Sequence, residues 1–116
     1  MLDFIGKEEA EVIQVATGIE TETMMRIVEL YGRQHSMRLH GGESERKRGQ
    51  IPVKVEDFCK IPTIVALGTV LIAGKDNSGR QLLQWQATID GITYFYIEEV
   101  RASELVLKTM YKRKGI

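Results

Sequence analysis

Residues 81–101, QLLQWQATIDGITYFYIEEVR, decide the fold predicted for this chain. Apolar and polar residues alternate along the first half, which is the period of a half-buried strand. Asp90-Gly91 follows, a dipeptide typical of a two-residue hairpin turn, and residues 92–101 predict the partner strand. The residues on the apolar side are Leu83, Trp85, Ala87 and Ile89. The segment therefore predicts an antiparallel hairpin with one buried face.

Two further strands are predicted beside this hairpin. Residues 69–73 (TVLIA) precede it, and a turn-forming cluster at residues 75–79 joins them to it. Residues 105–112 follow it after a turn at residues 102–104. Four consecutive antiparallel strands are therefore expected.

The first 67 residues carry the helical patterns. Residues 8–17 predict a helix, because acidic residues occupy its first turn and Gly18 follows it. Residues 31–40 predict a second helix, which Gly41-Gly42 ends. Residues 24–30 indicate a short strand, with a helix beginning at Thr23 as the alternative.

The segment between the second helix and the sheet is predicted to be a connector. Residues 43–50 (ESERKRGQ) predict a charged loop, and residues 55–60 a short helix. Both prolines, Pro52 and Pro62, lie in this region, which is unlike a central strand. The predicted fold is α+β, with two or three N-terminal helices packed on one face of a four-stranded antiparallel sheet. One domain over residues 1–116 is expected, helical over 1–67 and sheet over 68–116.

Length and composition exclude several classes of protein. With 116 residues the chain is long enough for one compact domain. It has no apolar run near the ~20 residues that a membrane span needs, and its first nine residues lack the pattern of a secretory signal. The one cysteine, Cys59, allows neither an internal disulfide nor a thiolate zinc site. A half-buried position on the short helix is expected for it.

Charge is unevenly distributed along the chain. The formal net charge is zero, yet residues 1–30 hold two basic and seven acidic residues, and residues 31–116 hold 14 basic and nine acidic ones. The first segment therefore has a charge of −5 and the rest +5. This asymmetry favours an anionic partner for the basic part, with a mixed solvated surface as the alternative.

The last strand and the second helix supply the candidate catalytic groups. Strand alternation predicts that Leu105, Leu107, Thr109 and Tyr111 point to one side. If the two leucines pack beneath the helices, the two hydroxyls emerge at the rim of the same face. The helix with His35 and His40 would pack there too, with His35 as its inward histidine. Histidine and hydroxyl groups are thus expected to meet in one cleft.

These residue types suit metal-independent RNA cleavage. The substrate supplies its own 2′-OH nucleophile, so the enzyme needs a base, an acid and donors that stabilise the phosphorane. Histidine can serve in both proton transfers, and Thr, Tyr, Lys or Arg can meet the developing charge. His35 and His40 are five positions apart, whereas zinc-binding helices place two histidines at i and i+4. No metal and no cofactor are therefore expected.

Five short motifs occur in an order that resembles one nuclease family. They are ATGI at residues 16–19, QHSMRLHG at 34–41, RGQIP at 48–52, EDFCKIP at 56–62 and LKTMYKRK at 107–114. Together they cover about 100 residues and resemble the phage-associated branch of the barnase–EndoU–colicin–RelE nuclease superfamily, including contact-dependent-inhibition toxins. The second motif matches that branch's H-x-x-x-x-H-G element.

The resemblance implies a ribonuclease toxin, often one that cleaves tRNA to leave a 2′,3′-cyclic phosphate. By motif position the implied catalytic residues are His35, His40, Thr109 and Tyr111. The implied partners are RNA and a cognate immunity protein, for a monomeric toxin domain that does not bind membranes. The implied location is the cytoplasm of a target or host bacterium, reached as part of a larger secreted or phage-borne effector.

Further contacts and alternative functions follow from charge and placement. The candidate phosphate-binding residues are Lys54, Arg101, Lys112, Arg46 and Arg48. Trp85 could stack on a base, but its apolar neighbours favour the core. The alternative function is a non-catalytic RNA- or protein-binding phage or effector module with the same fold. An immunity protein fits poorly, because such proteins need an acidic face.

Overall fold

The computed structural model describes residues 2–115, which form an α+β fold around one six-stranded sheet. The strand order is β1-β2-β6-β5-β4-β3. In chain order the elements are β1 (Leu2–Phe4), α1 (Lys7–Thr17), β2 (Met25–Ile27), α2 (Leu30–His40), α3 (Ser44–Lys47), a 3₁₀ helix (Val55–Lys60), α4 (Ile61–Leu67), β3 (Thr69–Lys75), β4 (Gln81–Ile89), β5 (Ile92–Val100) and β6 (Glu104–Lys114).

The predicted hairpin is confirmed as the β4–β5 pair. Its turn places Asp90 at φ 51° and Gly91 at φ 77°, the two left-handed residues that a tight hairpin turn requires. Trp85 lies opposite Tyr96, and both are fully buried. This side of the sheet, called here the inner face, also carries Leu83, Ala87, Tyr94, Leu105, Leu107 and Met110 of the core.

Helices α1 and α4 cover the inner face. α1 buries Ala10 and Ile13, and α4 buries Ile61, Ile64 and Val65, all within the same apolar cluster. The predicted end of α1 is confirmed, because Gly18 has φ 78° and its N–H bonds the carbonyl of Gln14. No helix within residues 2–115 is long and apolar enough to cross a membrane.

The prediction of a sheet with only four antiparallel strands is wrong. The four predicted strands are present and antiparallel, but β2 pairs with β6 in parallel, with Arg26 opposite Leu105, and β1 pairs with β2. Residues 24–30 had already indicated a strand. Three residues are too few to show a period of two, and the parallel partner lies almost 80 residues further along the chain.

A bulge in β6 overturns the predicted side-chain alternation. Leu107 lies opposite Glu98 but Thr109 lies opposite Ile97, so Lys108 is an extra residue. Such a residue reverses which side the following positions face. Thr109 and Tyr111 therefore lie on the side opposite the two leucines. This side, called here the outer face, carries Phe95, Ile97, Thr109, Tyr111 and Arg113.

Strand β2 pairs with residues 104–106 of β6, and helix α2 packs against the next part of β6, at residues 107–110. Gly32 lies so close that an added Cβ would come within 2.4 Å of the carbonyl oxygen of Leu107. Ser36 is fully buried, and its hydroxyl donates to the carbonyl of Gly32 and accepts the N–H of Met110 at 3.0 Å. Helix and strand therefore meet edge-on, and α2 can present side chains to either face.

The connector is more ordered than predicted. Residues 43–50 contain one turn of helix, α3, where a loop was expected, and the short helix at Val55–Lys60 is confirmed with 3₁₀ geometry. Pro62 lies in the first turn of α4, where a missing N–H costs nothing. Cys59 is exposed, not half-buried as expected.

Candidate active site

His40, the last residue of α2, is the predicted catalytic residue that contacts a buried carboxylate. Its Nδ1 lies 2.9 Å from Oε2 of Glu45, whose side chain is fully buried. The His40 side chain itself is 15 % exposed. The edge-on packing of α2 places its ring 5.4 Å from the ring of Tyr111, between centroids. The buried carboxylate therefore holds Nδ1 of His40 and leaves Nε2 for proton transfer.

Glu45 was not among the residues proposed from the sequence, which indicated a charged loop at this position. The single turn of α3 turns its side chain inward. The backbone carbonyl of Glu45 accepts the N–H groups of Arg48 and Gln50, at 3.0 and 2.9 Å, which holds this turn in place. The sequence feature that could have indicated this contact is the short spacing: Glu45 follows His40 by five residues, after the two glycines that end α2.

Tyr111 belongs to a column of rings on the outer face. It stacks on Phe95 with ring centroids 4.6 Å apart, and the guanidinium of Arg113 lies 4.9 Å from the centre of the Phe95 ring. Burial raises the pKa of the Tyr111 hydroxyl, against the smaller opposing effect of Arg113. The phenol therefore stays protonated and able to donate at neutral pH.

His35 lies one turn back from His40 in a more open position. Its ring stacks at 6.1 Å on that of Tyr31, and its Nδ1 lies 3.2 Å from a guanidinium nitrogen of Arg38. Partial burial lowers the pKa of His35, and the charges of Arg38, Lys108 and His40 lower it further. The prediction that His35 is the inward histidine is wrong, because His40 holds the buried carboxylate and the ring contact with β6.

Thr109 follows the β6 bulge on the same face as Tyr111. Its hydroxyl oxygen is buried and has no hydrogen-bond partner among residues 2–115. Lys108, the bulged residue, lies 3.4 Å from Glu99 and 3.9 Å from Asp76. The structure thus brings His40, Tyr111 and Thr109 to one side of the sheet, with His35 and Lys108 beside them. The sequence had predicted that these residues come together on the inner face, with Leu105 and Leu107.

The five predicted phosphate-binding residues are scattered. Lys112 is buried on the inner face, where it pairs with Asp57 at 2.7 Å. Arg101 lies 3.3 Å from Glu99, and Lys54 is exposed. Arg46 pairs with Glu43, and Arg48 lies 3.4 Å from Glu45 at the edge of the His40 site. Arg113, which was not among them, lies over the Phe95 ring on which Tyr111 stacks.

A second polar cluster was missed by sequence reasoning and lies beneath α1 and α4. Glu98 is fully buried on the inner face and accepts two hydrogen bonds from Arg26, at 2.7 and 2.9 Å. It also accepts one from Trp85 Nε1 and one from the Tyr96 hydroxyl, each at 2.7 Å. Arg26 pairs in addition with Glu9. Trp85 is thus a core residue, as its neighbours predicted.

In this second cluster the pKa shifts favour a charged Arg26 and a neutral Tyr96. Burial would lower the pKa of Arg26, but the adjacent Glu98 carboxylate outweighs it and raises that pKa. Burial and the same carboxylate raise the pKa of Tyr96 well above its ordinary value. The hydroxyl therefore remains a donor to Glu98, and every charge in the cluster is hydrogen-bonded.

Within residues 2–115, no three His, Cys, Asp or Glu side chains lie together in a way that could hold a metal ion. Comparison with family models, with curated proteins and with solved structures finds no match.

Proposed function

We propose that this protein is an endoribonuclease that cleaves RNA by attack of a ribose 2′-OH on the adjacent phosphate, without a metal ion. The observation that carries the proposal is the contact of His40 with the buried Glu45 carboxylate on one side and the Tyr111 ring on the other. A carboxylate at Nδ1 favours the tautomer with its proton there. The free Nε2 of His40 is then the acceptor that a general base needs.

His40 and Tyr111 exchange the protons in the proposed reaction, while one bond to phosphorus forms and another breaks. Nε2 of His40 takes the 2′-OH proton while the 2′-oxygen forms a bond to phosphorus. The bond from phosphorus to the 5′-oxygen breaks, and that oxygen takes a proton from the Tyr111 hydroxyl. The products are a 2′,3′-cyclic phosphate and a 5′-OH. His40 then returns its proton through solvent to Tyr111, which restores both groups.

Two cations of β6 support binding of the phosphate. Arg113 is exposed and lies on the same face as Tyr111, with its guanidinium over the Phe95 ring, and the charge of Lys108 acts on His35. Donors of this kind stabilise the extra negative charge of a phosphorane. His35 is positioned to contact the substrate, and its lowered pKa keeps it neutral at pH 7.

The further expectations from the sequence resemblance belong to this proposal. They are tRNA as the favoured substrate, an immunity protein as partner, and action in the cytoplasm of a target bacterium. The asymmetry of charge, +5 over residues 31–116, favours an anionic substrate.

The test is incubation of the purified protein with total RNA in EDTA. We expect cleavage by the wild type, strong loss in His40→Ala and Tyr111→Phe, and partial loss in His35→Ala and Thr109→Ala. Tyr31→Phe is the matched control, because Tyr31 is 71 % exposed. Intact RNA with the wild type, or undiminished cleavage by His40→Ala, overturns the proposal.

Binding without cleavage is the second candidate function. The partly exposed ring of Tyr111 lies on the same face as the exposed Arg113, and an aromatic ring with a cation on one face also suits simple RNA binding. It predicts salt-sensitive binding, no turnover and harmless expression in a host. An active toxin should resist cloning unless its antidote is co-expressed.

A further inference from the structure

A cleft between α1 and α4 lies on the inner side of the sheet, opposite the proposed RNase site. Its volume is about 660 Å³, within the range of small-molecule sites. Val12 of α1 lies on one side, and Pro62 and Ala66 of α4 lie on the other, all three exposed. Ile61, Trp85 and Arg26 lie beneath them and form a buried floor. Nothing in the proposed RNA reaction uses this cleft.

The hydrogen-bonding groups of the floor are already engaged. The indole N–H of Trp85 is donated to Glu98, and the guanidinium of Arg26 is divided between Glu98 and Glu9. The Arg26 guanidinium also lies over the Trp85 ring at 5.6 Å. With its donors occupied and its side chains buried, the floor offers a ligand no free polar group, and the apolar surface open to a ligand is that of Val12, Pro62 and Ala66. The body of a ligand should therefore be apolar and compact, of the size of one ring.

The mouth of the cleft selects for positive charge. Its ionisable lining residues are Lys7, Glu8, Glu9 and Arg26, and Glu98 lies directly beneath. Three carboxylates and two cations thus lie in and beneath the cleft, and residues 1–30, which include α1, have a net charge of −5. A ligand anion would meet a negative field, whereas a cation would be attracted to it.

We propose that the cleft between α1 and α4 binds a small organic cation, with an apolar body between Val12, Pro62 and Ala66 and an ammonium group at the carboxylates of Glu8 and Glu9. This site does not depend on the proposed RNase activity. Its occupant lies against α1 and α4, above the buried Trp85 and the buried Arg26–Glu98 pair.

Trp85 is the single tryptophan of the chain and lies in the floor, so its fluorescence reports occupancy. Three probes of one shape separate charge from apolar contact: 4-phenylbutylamine, 4-phenylbutanol and 4-phenylbutyrate. We expect a saturable change in Trp85 emission, with the amine binding tightest and the carboxylate weakest. Glu8→Gln should weaken the amine by about threefold, as expected for a partly exposed ion pair, and leave the alcohol unchanged.

Occupancy of the cleft itself is tested with a filling variant. Ala66→Phe adds a ring at an exposed lining position and should abolish the response to the amine. Thr63→Phe adds the same ring to α4 at an exposed position outside the lining and should leave the response intact. Amide chemical-shift changes centred on α1, α4 and the other residues that line the cleft should accompany binding by the wild type. No saturable response to any probe, a carboxylate that binds as tightly as the amine, or an unaffected Ala66→Phe overturns the proposal.

Discussion

Replacing Glu45 with glutamine separates the role of its charge from the role of its shape. The carboxylate is fully buried and lies 2.9 Å from Nδ1 of His40. A hydrogen bond to a charged group contributes about 1.5–3 kcal/mol. Since about 1.4 kcal/mol corresponds to a tenfold change in rate, Glu45→Gln should lower kcat/KM by about 10- to 150-fold.

The assay is cleavage of a short fluorogenic oligoribonucleotide in EDTA, followed from pH 5 to 9. We expect the loss in kcat, with KM little changed, because Glu45 acts through His40 and not through the substrate. The pH profile should change as well, which a loss of folding alone would not cause. Glu43→Gln is the matched control, since its side chain is 81 % exposed and pairs with Arg46 at 2.8 Å.

An unchanged rate and pH profile in Glu45→Gln would refute the role assigned to Glu45. If a folded Glu45→Gln protein cleaves at the wild-type rate with the wild-type pH profile, Glu45 does not position His40. Thermal melting of both variants establishes that each is folded.

Three further predictions concern stability. Ser36→Ala should lower the free energy of unfolding by about 1–3 kcal/mol in urea denaturation, because the buried N–H of Met110 loses its acceptor. Glu98→Gln should lower it by about 3–5 kcal/mol in the same measurement, since Arg26 is left buried without its main counter-charge. His35 has a folded-state pKa below 6.5, so the unfolded chain binds the proton first and stability should fall as pH drops below about 6.5. His35→Gln should remove that part of the pH dependence.

Each stability prediction has a control and a contrary outcome. Ser44→Ala changes an exposed serine and should be neutral; an equal loss there would show that the hydrogen bond of Ser36 is not the cause. Glu104→Gln, partly exposed on β6, serves the same purpose for Glu98. For His35, a wild type and a His35→Gln protein with the same pH dependence would contradict the assignment.

The central hairpin could be predicted from the sequence because its signals are local. Alternation over Gln81–Ile89 and the Asp90-Gly91 turn are both properties of neighbouring residues. The helix α1 was predicted for the same reason. The parallel pairing of β2 with β6 could not be, since three residues show no periodicity and the two strands are far apart in the chain.

The bulge at Lys108 shows why the site was predicted on the wrong face. No residue in β6 marks an insertion, so strict alternation put Thr109 and Tyr111 with Leu105 and Leu107. One extra residue reverses that order. His40 nevertheless reaches Tyr111, because α2 packs against the edge of β6 and not onto one face.

The buried partners were the hardest to predict. The sequence predicted that Glu45 lies in a charged loop, whereas a single turn of α3 buries it completely. Arg26 and Glu98 are 72 positions apart, and each resembles an ordinary surface charge in the sequence. Pairing of this kind depends on the sheet register, which the sequence alone did not define.

The most direct test of the central claim is cleavage of one short RNA and of the same RNA with a 2′-deoxy nucleotide at the cleaved position. The reaction contains EDTA, and mass spectrometry identifies the product ends. We predict that the all-ribose strand is cut to a 2′,3′-cyclic phosphate and a 5′-OH, and that the substituted strand stays intact at that position. Equal cleavage of the two strands, or no cleavage of either, would contradict the account.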